Sequence, residues 1–87
     1  RPDQLVIGFA AETDHVLENA AKKLRSKRLD MIVANDVTQE GAGFDVDTNI
    51  VTMLFRDGRQ KPLEKMTKLE VAGRVLDEVV MLRKAKE

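Results

Sequence analysis

Two lysines four residues apart, Lys23 and Lys27, carry the most suggestive chemistry in this chain of 87 residues. On a helix, positions four apart share a face, and the same row extends back through Asn19 to His15. Two like charges so placed repel mildly in water, and a bound triphosphate turns that repulsion into attraction through charge-assisted hydrogen bonds. The plainer reading is a solvated basic end to a helix, because Lys22, Arg25 and Arg28 crowd the same stretch. Asn35 and Asp36 form a second candidate pair. They follow an apolar run, at the end where ligands bind in open α/β sheets, although Asn and Asp are also frequent turn formers.

Other chemistry is weaker or fails on spacing. His15 is the single histidine and reads as a solvated surface group, and Ser26 is the single serine, so no serine, histidine and acid set assembles. Gly41-Ala42-Gly43 lacks the third glycine of a dinucleotide loop and does not lie directly between a strand and a helix. Asp45, Asp47 and Asn49 open with calcium-loop spacing, but Ile50 stands where glycine is required and Arg56 where the closing glutamate belongs. No residue is assigned a catalytic role on this basis, and none is assigned to a metal.

The elements that must position these residues follow from periodicity. Leu5 to Ala11 is an unbroken apolar run, the pattern of a strand covered on both faces. Thr13 is placed to cap a helix with Val16, Leu17, Ala20, Ala21 and Leu24 on its buried face. Met31 to Ala34 is a second strand, so the first third of the chain predicts a βαβ unit. The stretch from Thr38 to Asp47 is expected to be a long loop. Asn49 to Phe55 predicts a third strand, with positive φ angles at Asp57-Gly58 turning it into a short return strand that ends near Leu63. Thr67-Lys68-Leu69-Glu70 is a capping box with Met66 and Val71 at the staple positions, and it opens a helix. Leu69, Ala72, Val75, Leu76, Val79 and Leu82 are expected on its buried face. The order is β-α-β-loop-β-hairpin-α, and two parallel strands with a hairpin imply further strands beyond this chain.

Composition narrows the classes. Fifteen basic residues balance fifteen acidic ones, so no net field favours nucleic acid or an anionic membrane surface, and neither is expected as a partner. The absence of cysteine removes disulfides, thiolate zinc sites and cysteine nucleophiles, and fits a cytoplasmic setting. No apolar run reaches the roughly 20 residues of a membrane span. The chain opens without Met and enters its first apolar run at Leu5, and so reads as a piece of a longer protein.

Val6-Ile7-Gly8-Phe9-Ala10-Ala11-Glu12-Thr13, then Lys23-Leu24-Arg25-Ser26-Lys27 leading to Leu29-Asp30, then Ile32-Val33-Ala34-Asn35-Asp36-Val37 stand in an informative order. Together with Gly43-Phe44-Asp45-Val46-Asp47-Thr48-Asn49 and the Asp57-Gly58 hairpin, they resemble the C-terminal half of the phosphopantothenate–cysteine ligase family over nearly the whole chain. The resemblance implies residues 1–87 as the C-terminal portion of a Rossmann-like ligase domain, working as a homodimer in coenzyme A synthesis with CTP and Mg2+. The carboxylate of 4′-phosphopantothenate would attack the α-phosphate and release pyrophosphate; the cysteine amine would then displace CMP from the acyl cytidylate. It further implies a parent that also carries a flavin-dependent phosphopantothenoylcysteine decarboxylase, the only part to use FMN. By the same resemblance Phe9 falls beside the nucleotide base, and Lys23 and Lys27 beside the phosphates. Asn35 and Asp36 match the family pattern without an assigned contact. Self-association is expected through Thr38 to Leu63, whose apolar strand would leave a face or an edge uncovered. The competing reading is a noncatalytic α/β interaction or dimerisation module.

Overall fold

The computed structural model describes residues 4–36 and 48–86. The elements run β1 (Ile7–Glu12), α1 (Val16–Ser26), β2 (Met31–Asp36), β3 (Thr48–Asn49), β4 (Val51–Phe55), β5 (Gln60–Pro62), β6 (Met66–Thr67) and α2 (Lys68–Lys86). The expected mixed α/β fold with one parallel strand pair and a hairpin is what forms. A four-stranded sheet has the order β1-β2-β4-β5, and β3 and β6 make a separate two-stranded ribbon. Strands β1 and β2 are parallel, with Phe9 opposite Val33 and Glu12 opposite Asp36. Strand β4 is antiparallel to both β2 and β5.

Alternation along the strands sends side chains to two layers. Under α1 lies one cluster, with Ala20, Leu24, Leu29, Ile32, Ala34 and Leu54 at its centre and Ala10 packed against it. On the opposite face a second cluster holds Met31, Val33, Val51, Met53 and Phe55 under Val75 of α2. Gly8 belongs to the first layer for a steric reason: a Cβ there would stand 2.6 Å from Leu29 Cδ1.

Helix α1 ends in a Schellman motif. Arg28 takes the left-handed φ of 55° usually given to glycine, Arg28 N–H donates to Arg25 O at 3.2 Å, and Leu29 N–H donates to Leu24 O at 2.9 Å. Arg56 fixes this corner from β4's end. Its Nη2 donates to Arg28 O at 2.7 Å and its Nε to Leu29 O at 3.2 Å, with Asp30 Oδ1 at 3.7 Å from Nη1. The strained Arg28 conformation is therefore held by hydrogen bonds to this corner from a turn residue 28 positions away.

Several expectations change in the folded chain. Thr13 does not cap α1: the helix starts after His15, which sits at φ 46° with no side-chain cap, while Asn19 Nδ2 donates to Asp14 O. Residues 13–15 form a bend that turns the chain off the sheet, and that bend displaces the cap position by two residues. The third strand is interrupted at Ile50, so that Thr48–Asn49 pairs with β6 while Val51–Phe55 joins the main sheet. In the hairpin only Gly58 has a positive φ, at 98°. Phe55 N–H donates to Arg59 O and Gly58 N–H to Phe55 O, which makes a three-residue connection with glycine at its left-handed position rather than a two-residue turn.

The capping box is present as expected. Thr67 Oγ1 accepts from Glu70 N–H and Glu70 Oε1 accepts from Thr67 N–H, both at 3.1 Å. The buried face of α2 is rotated from its expected position. Val75 is buried, and Val71, Val79 and Leu82 pack against the α2-side cluster. Leu69, Ala72 and Leu76 point to solvent, and Val80 and Met81 join Leu69 and Leu76 as exposed apolar residues. Helix α2 carries apolar residues around most of its circumference, so spacing alone admits two stripes, and contact with β4 selects one.

The apolar strand expected at an interface is internal. Met53, Leu54 and Phe55 are all buried, between β2 and β5 and between the two helical layers. The premise of an uncovered hairpin face therefore does not hold among the described residues. Thr38 to Asp47, the first part of the expected interface, and with it the Gly41/Gly43 loop, lie outside the described residues.

Candidate functional site

Strand β1 is the edge of the sheet among the described residues, and one of its faces is uncovered. Its even-numbered residues Gly8 and Ala10 meet the α1 layer, as does Glu12. Phe9 and Ala11 turn the other way, where α2 does not reach over them, and the Phe9 ring is 71% exposed. The expected cover on both faces is thus present on one. Phe9 and Ala11 with Val33, Val51 and Val71 line an open cleft of about 290 Å³, in which Asn35 and Lys68 are the polar side chains. It is an apolar slot with few polar groups, the usual composition of a small-ligand site. Lys68, the first residue of α2, adds a cation at the rim.

Phe9 and Asn35 are therefore brought together, by the register that sets Ala11 opposite Asn35 and Phe9 opposite Val33. Lys23 lies on the other side of β1. Its Nζ donates to Glu12 Oε2 at 2.6 Å, with the Glu12 side chain only 10% exposed and that of Lys23 43% exposed. The two lysines do not stand as a bare like-charged pair: Lys23 is charge-paired to the sheet, while Lys27 is the exposed C-cap of α1, its N–H bonded to Lys23 O at 3.0 Å. Asp36, at the carboxyl end of β2, is half-buried opposite Glu12. A ligand touching both Phe9 and Lys23 has to pass around the free edge of β1. His15 remains a surface group, 3.5 Å from Asp14 Oδ2 and 3.8 Å from Glu18 Oε2.

Glu12 and Lys68 were not among the residues singled out from sequence. A signal for each existed. Alternation from the packed Ala10 places Glu12 on the α1 side, and the capping box puts Lys68 at the first helical position.

A parallel strand pair with a cleft toward its carboxyl ends, open at the sheet edge, is an α/β layer with its opening where open α/β sheets usually take ligands. Comparison with known proteins is more specific about the family. The chain belongs to the DNA/pantothenate metabolism flavoprotein C-terminal domain family, whose model matches residues 1–82. It is 50% identical over 84 residues to the coenzyme A biosynthesis bifunctional protein CoaBC of Bacillus subtilis (strain 168), covering 97% of this chain and 21% of that protein. It is 40% identical over 82 residues to a cysteine/cysteine sulfinic acid decarboxylase of an unknown prokaryotic organism, covering 94% of this chain and 23% of that protein. Among solved structures, the crystal structure of the C-terminal domain of CoaBC superposes with a TM-score of 0.78 at 46% identity, over 94% of this chain and 36% of that one. The chain thus spans about a fifth of the length of the curated relatives it matches.

Proposed function

We propose that this chain is the C-terminal portion of a phosphopantothenate–cysteine ligase domain, in a cytoplasmic enzyme of coenzyme A synthesis that forms an acyl cytidylate from CTP and 4′-phosphopantothenate and resolves it with cysteine. Membership of the pantothenate-metabolism family and the likeness to CoaBC support the pathway. The observation that carries the nucleotide assignment is the edge of β1, with the Phe9 ring exposed over an apolar cleft on one face and the Lys23 ammonium fixed on the other. Phe9 stacks on the base, and Lys23 and Lys27 neutralise the phosphates as the pyrophosphate departs. Such a site works by placing reactants and offsetting charge rather than by proton transfer. Mg2+ accompanies the triphosphate, and no residue here is assigned to it. FMN belongs to a decarboxylase elsewhere in the parent protein.

The test is pyrophosphate release by the full-length parent with CTP, 4′-phosphopantothenate and cysteine; no release with all three present would sink the reading. Lys27→Gln in that protein is expected to weaken CTP binding or turnover about tenfold to a hundredfold, the loss of one charge-assisted hydrogen bond. Residues 1–87 alone are expected to form no acyl cytidylate, because one face of β1 has no cover among the described residues and a cleft of this size holds only part of a nucleotide and the carboxylate substrate.

A second reading, a noncatalytic interaction module, draws on the exposed apolar stripe of Leu69, Leu76, Val80 and Met81. A homodimer could use that stripe or the Thr38 to Leu63 segment. Sedimentation of a Leu76→Lys, Val80→Lys variant separates these: dissociation assigns the interface to α2, and an unchanged dimer excludes it.

A further inference from the structure

Among the described residues Lys23 is the candidate nucleotide contact held by another side chain, and its partner has no role in the reading above. Glu12 is 8% exposed, at the carboxyl end of β1, and its Oε2 accepts the Lys23 ammonium at 2.6 Å. A lysine has a flexible four-carbon stem and three donor hydrogens. One hydrogen is committed to Glu12. The other two remain available, because the Lys23 side chain is still 43% exposed while the carboxylate is sunk between β1 and α1.

We propose that Glu12 is a positioning residue for the nucleotide: it holds the Lys23 ammonium at the free edge of β1, so that a triphosphate meets a cation already ordered. The proposal rests on the assignment of Lys23 to the phosphates. Ordering the side chain before the ligand arrives removes an entropic cost from binding. The carboxylate also keeps its place for packing reasons independent of any ligand, since β1 alternation directs residue 12 toward α1 beside Ala10. A second role is conceivable for the same contact, in which Glu12 competes with phosphate and holds the lysine back. Burial argues against it. The carboxylate is nearly buried whereas the Lys23 side chain keeps 43% of its surface exposed, so a phosphate can approach the exposed hydrogens without displacing Glu12.

The experiment is a double-mutant cycle on CTP affinity in the full-length protein, measured by calorimetry on Glu12→Gln, Lys23→Gln and the double variant, with Glu12→Asp as the charge-keeping control. Glu12→Gln is expected to raise the CTP dissociation constant about threefold to tenfold, to leave the KM for cysteine unchanged, and to be partly rescued in Glu12→Asp. In the Lys23→Gln background the same change is expected to move CTP affinity by less than about twofold, since its effect runs through the lysine. Glu78→Gln, which breaks a like pair on the other face, controls for general loosening and should leave CTP affinity alone. Unchanged or tighter CTP binding in Glu12→Gln overturns the proposal, as does an equal effect with and without Lys23. If Lys23→Gln itself leaves CTP affinity intact, the phosphate assignment has failed and the positioning role goes with it.

Discussion

The two faces of the sheet are built alike and end differently. Each has a buried apolar cluster closed at its margin by a lysine bonded to a nearly buried glutamate, Lys23 to Glu12 on the α1 face and Lys61 to Glu78 on the α2 face. On the α1 face the cluster continues over β1, because Ala10 and the missing side chain of Gly8 let Leu29 and the helix approach. On the α2 face the cluster is dense around Met31, Met53 and Phe55 and then gives out over β1, where Phe9 and Ala11 form the cleft. The Lys61–Glu78 pair ties the edge strand β5 to α2, far from that opening. Equal ion pairs therefore have unequal surroundings, and the open strand beside Lys23 is what gives that pair a reading beyond structure.

The largest effect that sharpens this contrast is in the packed part of the α2 face. Met53→Ala removes a side chain that is 1% exposed and is expected to lower stability by about 2–5 kcal/mol in urea unfolding. Phe9→Ala, at the open end of the same face, is expected to shift stability by less than about 0.5 kcal/mol while weakening CTP binding. A large loss of stability there would show that the cleft is core.

Next comes the ion pair away from the cleft. Lys61→Met leaves the Glu78 carboxylate at an apolar margin, though Lys61's own exposure lets water reach it, so the expected loss is about 1–2 kcal/mol, with CTP affinity unchanged. A change in nucleotide binding would erase the distinction between the two pairs. A similar cost, about 1–2 kcal/mol, is expected for Gly58→Ala, since its φ of 98° is one that side chains resist and the β4–β5 hairpin that carries Lys61 depends on it.

The smallest effect concerns the start of α2, which frames the cleft. Thr67→Ala removes a capping oxygen and is expected to cost about 1 kcal/mol. The Glu70 carboxyl is held below its ordinary value of 4.5, first by the Thr67 backbone N–H and then by the Thr67 hydroxyl. Asp57, in the hairpin, is likewise held below 3.8, first by the Arg59 backbone N–H. Both are depressed carboxylates, so their contributions are complete above those ordinary values and are lost as the pH falls through the lower, folded ones. The amide protection factor at the first turn of α2 should therefore fall on acidification below about pH 4.5, and Glu70→Gln should remove that dependence. An identical pH profile in Glu70→Gln would show that the cap does not hold the turn.

Local signals were legible wherever a short stretch of chain supplies both partners. The capping box at Thr67 and Glu70, the glycine of the hairpin, and the apolar runs of β1 and β2 all act within a few residues, and each appears where the sequence places it. The Lys23/Lys27 spacing is likewise a local fact. The start of α1 was displaced because the His15 bend answers to the path between sheet and helix, not to the capping preference of Thr13.

What the sequence determined by itself was the order of elements, the candidate lysines and the family likeness, because periodicity and motif spacing are properties of neighbours along the chain. Tertiary structure decided which stripe of α2 is buried, since β4 can cover only one side of a helix that is apolar on two. It decided that the Met53 and Phe55 strand is buried inside the sheet, because β2 and β5 flank it. It also decided that Lys23 stands against Glu12, 11 residues earlier, because only the packing of α1 on β1 brings a helix side chain within 2.6 Å of the end of a strand.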